Sequence, residues 1–274
     1  MFSHVNKMGN PGGFRPNPAV VGISAKLKRV IMGHGLMQAS DYEQPTSSCV
    51  RLGSNIFLHR DHHYALVSWA KAALDLGLKR ESVLLHADYH PDLGGQIGEK
   101  AGLSDAELFK EAKSTIESLD NYPDLIPEDN FIRPAVGLGI VGKYVWITPP
   151  VDVTYKVDLP IPWEISTLKK HLSLPQLHPE HDHIFDLDLD FFNGSKDLND
   201  DIKDMVSLFK LLKPKVTTIA FSPASATFSE RYLQLDLEWC TRVIAEIMHA
   251  SGLKNDFPVE IIPENRRFTR HSSK

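Results

Sequence analysis

The run "HDHIFDLDLDFF", residues 181–192, constrains the fold of this chain more than any other stretch. Asp186, Asp188 and Asp190 alternate there with Phe185, Leu187, Leu189 and Phe191. Period two is strand geometry, so the three carboxylates share one face and the apolar side chains the other. Carboxylates packed that closely repel one another and are rarely buried ionised without a cation. The face is therefore either wet or covered by positive charge. An apolar residue at every intervening position argues against a solvated edge strand.

Other apolar runs place this strand in a larger pattern. Strands are expected near "AVVGIS", "RVIMG", "NIFLH", "SVLLHAD", "YVWITP", "HIFDLDLD", "VTTIAFS" and "VEIIP", with helices near 63–76, 105–118, 199–212 and 229–251. Alternation of strand and helix predicts a mostly parallel sheet covered on both faces, in a single α/β domain over residues 19–274. A chain of 274 residues with 42% apolar content can fill such a core. Residues 1–18, rich in Gly, Pro and Asn, read as a flexible or turn-rich arm. Ser229 is expected to cap the last helix and Gly252 to stop it, with Asn199 and Asp200 capping the helix before.

Composition narrows the class. A net charge of −5 with no basic stripe excludes a nucleic-acid surface and mildly favours a cationic substrate. Cys49 and Cys240 form neither a disulfide framework nor a CxxC pair and read as buried thiols. No apolar run approaches the roughly 18 residues of a membrane span, and none follows the first Met, so a soluble cytoplasmic protein is expected. "GLGIVG", residues 137–142, matches GxGxxG, but "KYVWITPP" follows it where a dinucleotide fingerprint needs a helix. These glycines read as a loop.

Sites in open α/β sheets collect beyond the carboxyl ends of strands, and three strands here end in chemistry. "NIFLHRDHH" runs into His59, Asp61, His62 and His63; "SVLLHADYHPDL" ends in Asp88, His90 and Asp92; the third is the opening run. Read alone, Asp61 with His62 and His63 is an ordinary helix start. Together the three supply two histidines and four or five carboxylates, the donors of a hard, oxygen-preferring divalent metal with some nitrogen ligation. That is more than one ion needs. Two metals sharing bridging carboxylates fit better, with Mn²⁺ the first choice and Zn²⁺, Fe²⁺ and Co²⁺ open, since no thiolate joins the set. His178, His181 and His183 also have ligand-like spacing, but they precede their strand and belong to its opposite end.

In order and strand context these motifs resemble the arginase and deacetylase superfamily. Its arginases and agmatinases carry G-G-D-H, D-A-H-x-D and S-x-D-x-D segments, each at a strand end. "RDHH" resembles the first, "DYHPD" the second and "DLDLD" the third. "DHH", "HPDL" and "LDLDFF" are most similar to the arginase-related branch that includes peptide arginases, which convert arginine residues of a peptide to ornithine.

The resemblance implies a three-layer α/β/α fold and two divalent ions per chain. His62 and His90 would be terminal ligands of the two ions, with Asp88, Asp92, Asp188 and Asp190 completing the set. Asp186 then stands where the family has Ser, beside the metals; a shift of two residues would instead make Asp186 and Asp188 the ligands. The resemblance further implies attack by metal-activated water on a guanidinium carbon, releasing urea, with a proton passing through Asp92. Two family features have no match. The proton-shuttle His is absent, with Asp105 near its place, and "IAFSPAS" stands where a guanidinium-binding Glu is expected, leaving Glu230 as the candidate. The expected substrate is thus an arginine-containing peptide or a small guanidino compound. The rival readings are a zinc deacylase of acetyl-lysine or acetyl-polyamine, and a non-catalytic metal-binding protein of the same fold.

Overall fold

The computed structural model describes residues 18–34, 36, 49–94, 102–121, 130–149, 158–172, 180–194, 197–222 and 237–262. Its strands are β1 (Cys49–Leu52), β2 (Ile56–His59), β3 (Ser82–Ala87), β4 (Val141–Ile147), β5 (Trp163–Ser166), β6 (His183–Asp188), β7 (Val216–Ala220) and β8 (Val259–Ile262). β1, β2, β3, β6 and β7 are buried at every position, as strands covered on both faces must be. The outermost strands, β5 and β8, are only partly covered.

Among the described residues the eight strands form one sheet in the order β5-β4-β3-β6-β7-β2-β1-β8. From β5 to β2 every pairing is parallel; β1 runs antiparallel to both β2 and β8. The helices are α1 (Pro18–Gly33), α2 (Ala65–Leu76), α3 (Asp105–Asn121), α4 (Ile132–Gly137), α5 (Leu168–Leu172), α6 (Leu198–Leu212) and α7 (Leu237–Ala250). Apolar residues of α1, α5, α6 and α7 share one core with one face of the sheet, and those of α2, α3 and α4 share a second core with the other. The expected three-layer α/β/α architecture, with a mostly parallel sheet, is present. No helix of the described residues is long and apolar enough to cross a membrane.

Several expectations are corrected. "AVVGIS" and "RVIMG" are not strands but parts of α1, whose buried Val20, Ile23, Leu27, Val30 and Ile31 recur at helical spacing. Each such side chain contributes roughly 1.5–3 kcal/mol by leaving water, and that face fits a helix alone. β1, β5, α4 and α5 were not foreseen. The cap of α6 is Asp197, whose carboxylate accepts the backbone N–H of Asn199 and of Asp200, both at 3.1 Å. Ser229, with the start of the last helix, lies outside the described residues, as do residues 1–17; Pro18 already opens α1. Gly252 ends its helix at a φ of 84°, and Cys49 and Cys240 are buried thiols outside any disulfide, as expected.

The "GLGIVG" glycines serve a turn and a close approach. Gly139 takes a φ of 69°, and a Cβ on Gly142 would come within 2.8 Å of the Glu81 backbone. α4 ends at the first of these glycines and β4 begins at Val141, so no helix follows the motif.

Candidate metal centre

Parallel order sets the carboxyl ends of β3, β6, β7 and β2 side by side. β2 leads into a short 3-10 turn, His62–Tyr64, that turns His62 inward. β3 ends one residue before Asp88. β6 carries Asp186 and ends at Asp188, and a 3-10 turn, Leu189–Gly194, then brings Asp190 to the cluster. The strict alternation expected through Asp190 therefore stops at Asp188.

The donors fall into two groups that share Asp88. Ligand atoms of His62, His86, Asp88 and Asp92 all lie within 4.8 Å of one another, and so do those of Asp88, His90 and Asp190. In the inner group, His62 Nδ1 lies 3.0 Å from Asp92, 3.1 Å from Asp88 and 3.2 Å from Asp188. It nevertheless makes no well-aligned hydrogen bond to any of them. Its Nε2 sits 2.9 Å from Asp186 Oδ2. In the outer group, His90 Nδ1 lies 3.3 Å from Asp190 and 3.8 Å from Asp88.

Backbone and hydroxyl groups hold the carboxylates. The Asp190 N–H donates to Asp188 Oδ1 at 3.0 Å and the His90 N–H to Asp88 Oδ1 at 2.7 Å. Ser222, just beyond β7, donates its hydroxyl to Asp188, and Thr218 donates to Asp186. Asp92 and Ser222 adopt positive φ, 46° and 41°, a conformation unfavourable for residues other than glycine. Strain of this kind persists where surrounding structure enforces it.

The electrostatics are those of a cluster short of positive charge. Burial, with Asp92, Asp190 and Asp188 nearby, raises Asp88 well above the ordinary carboxylate range. Burial and then Asp188 raise Asp190. Burial pulls His62 down, but Asp186, Asp188 and Asp88 outweigh it and raise the ring well above its usual value. Burial pushes Asp186 up, yet His62 and His86 outweigh it and hold the carboxyl low. The hydrogen bond to Asp190 raises His90.

These residues fit divalent cations. Bonds of about 2.1 Å at near right angles put neighbouring donor atoms roughly 3 Å apart, the spacing found around His62 Nδ1. That nitrogen points among three carboxylates, and an all-oxygen-and-imidazole set suits a hard ion.

His62, Asp88, His90, Asp92, Asp188 and Asp190 thus come together, with Asp186 directly beneath. Other residues of the motifs do not join them. Asp61 gives its carboxylate to Arg60 at 2.6 Å. His59 is buried and faces Ser68 Oγ at 3.3 Å. His63 packs its ring on Tyr64. Asp105 pairs with Arg80 at 3.0 Å on the surface, far from the role its sequence position suggested. His183 opens β6 at the far end of the sheet from the donors, and His178 and Glu230 lie outside the described residues. Sequence reasoning missed His86, although H-x-D-x-H-x-D at 86–92 continues the same alternation backwards. It also missed Thr218, Ser222 and Phe131, whose ring lies 4.8 Å from that of His62, and no local signal marks these three.

No family model and no curated protein matches the sequence. Among solved structures the chain is similar to the proclavaminate amidino hydrolase from Streptomyces clavuligerus, at 14% identity and a TM-score of 0.43 over 88% of this chain and 73% of that one.

Proposed function

We propose that this chain is a binuclear metal-dependent hydrolase of the guanidino group, and that its substrate is an arginine residue of a peptide, converted to ornithine with release of urea. The observation that carries the first part is Asp88. Its Oδ2 faces His62 and its Oδ1 faces the His90 side, so one carboxylate joins two donor groups. The peptide substrate is supported by the resemblance of "RDHH", "DYHPD" and "LDLDFF" to the peptide-arginase branch.

His62, Asp88, Asp92 and Asp188 would hold one divalent cation, and Asp88, His90 and Asp190 the other, with Mn²⁺ the first choice. Such a pair supplies, when bound, a water acidic enough to attack near neutral pH. The ligand register is that with Asp188 and Asp190, because Asp186 is spent on His62, His86 and Thr218. The half-exposed His90 marks the side on which the guanidinium arrives. Phe131 packs against the His62 ring on the inner side, 4.8 Å between centroids. Water adds at the guanidino carbon, the bond from that carbon to the side-chain nitrogen breaks, and urea leaves. Asp92 is placed to carry the proton that the departing amine needs.

Mass spectrometry of an arginine-rich peptide incubated with Mn²⁺-loaded protein tests this, with free arginine and agmatine in parallel. Loss of about 42 Da per modified residue, with urea formed, is the expected result of hydrolysis by activated water. Protein with two cations per chain that turns over none of these guanidines overturns the reading. Turnover of acetyl-lysine or acetyl-polyamine with one cation per chain would establish the deacylase instead.

A further inference from the structure

Residues 88–93 carry Asp88, His90 and Asp92, half of the donor set, yet they lie outside any strand or helix. The Asp88 N–H extends the β3–β4 pairing by one bond, to the Ile147 carbonyl at 3.1 Å. Beyond it the chain stays buried at Asp92 and Leu93. Buried carbonyls need donors whether or not a strand supplies them. Here side chains do. Trp146 Nε1 donates to the Asp88 carbonyl at 3.0 Å, the Tyr144 hydroxyl to that of Pro91 at 2.7 Å, and Arg133 Nε to that of Leu93 at 2.7 Å.

All three donors come from outside the segment. Tyr144 and Trp146 project from the same face of β4, and both are buried. Phenylalanine would fill the space of Tyr144 in this apolar core, so what the hydroxyl adds is its bond to Pro91. Arg133 stands on α4, and its Nη1 also donates to the Asp158 carbonyl at 3.1 Å. A guanidinium committed to two carbonyls is a rigid fork that an ammonium does not replace.

Asp92 lies between two of the pinned carbonyls, those of residues 91 and 93, and its φ is 46°. Unrestrained, a residue with a side chain leaves that conformation. We propose that Tyr144 and Arg133 are positioning residues for Asp92, and Trp146 for Asp88. By fixing the carbonyls on both sides of Asp92 they hold its main chain left-handed and its carboxylate 3.0 Å from His62 Nδ1. What a cation gains from this rests on the metal reading above; the hold on the main chain does not.

The test compares Tyr144→Phe and Arg133→Lys with wild type, first without metal. Amide hydrogen exchange followed by ¹⁵N–¹H NMR is expected to quicken about 10-fold at Tyr89 and His90, whose N–H groups bond to Asp190 and Asp88, and to stay unchanged at the amides of β6. In a calorimetric Mn²⁺ titration the affinity of the variants falls about 10- to 100-fold. At saturating Mn²⁺ kcat on the arginine peptide falls about 10-fold at unchanged KM, since Asp92 is placed to carry the proton of the leaving amine. Equal acceleration at β6 would reduce these contacts to general stability, and unchanged exchange and Mn²⁺ affinity in both variants would show that they hold nothing; either result overturns the proposal. Wild-type protein that binds no Mn²⁺, or binds it and hydrolyses no guanidine, overturns the metal or the guanidino reading instead, while exchange in the metal-free variants still decides how the segment is held. Should Arg133→Lys not fold, Tyr144→Phe, which removes only the hydroxyl, decides alone.

Discussion

Around His62 every donor is buried and tied to strand ends, whereas around His90 the donors ride on turns and the His90 side chain is 47% exposed. The inner half is braced from below by β3, β6 and β7. The outer half is held by the N–H of its own turns, His90 to Asp88 and Asp190 to Asp188. Preorganised donors lose little freedom on binding, so the inner half suits tight retention of a cation. The outer half can adjust, and its His90 side chain is open to solvent.

Asp88→Ala is expected to have the largest effect, because it removes the residue common to both halves. Turnover should fall on the order of 10³-fold, about 4 kcal/mol of barrier, with both cations lost in elemental analysis. Retention of one full cation would show that the halves are separate sites. His90→Asn should act on the outer half alone. In a calorimetric Mn²⁺ titration the weaker class should weaken about 10- to 100-fold, or roughly 1.4–2.8 kcal/mol, with the tighter class intact. Equal loss from both classes would break the distinction between them.

The smallest effect concerns His59, which stands behind the inner half. Burial lowers its pKa from 6.5 to about 3, with Asp186 opposing and His62 and His63 reinforcing the shift. Between those values the unfolded chain binds a proton that the native chain refuses. Stability from this group is full above pH 6.5 and declines as pH falls toward 3, by at most about 1.4 kcal/mol per unit. Urea midpoints of metal-free protein at pH 7 and pH 5 should therefore converge in His59→Gln relative to wild type. An equal pH dependence in the two proteins would show that another group governs it.

What the sequence made legible follows from local pattern. β3 and β6 announce themselves by apolar runs that end in alternating Asp and His, and their ends carry five of the six expected donors, with His62 after β2. α1 was misread because "AVVGIS" and "RVIMG", taken separately, are short β-branched runs that do not distinguish strand from helix. Taken together from Pro18 to Gly33, their buried positions follow helical spacing. β1 and β5 are four residues each, too short for periodicity to mark. Thr218 and Ser222 look like ordinary strand and loop residues, and only the neighbouring of β6 and β7 gives them carboxylates to hold. Asn199 and Asp200 mark the start of α6 in the sequence, but a capping residue accepts from N–H groups two and three positions on, which makes Asp197 the cap.

The backbone at Asp92 and Ser222 carries a consequence for which sequences this fold tolerates. Both residues hold a left-handed conformation that glycine adopts freely, and both contribute a side chain to the cluster. Glycine at either position would relax the main chain, and at 92 it would also remove one of several mutually repelling charges. Selection for durability alone would drift toward glycine there and silence the centre. Asp and Ser at these two positions give up main-chain ease for side chains that the cluster uses.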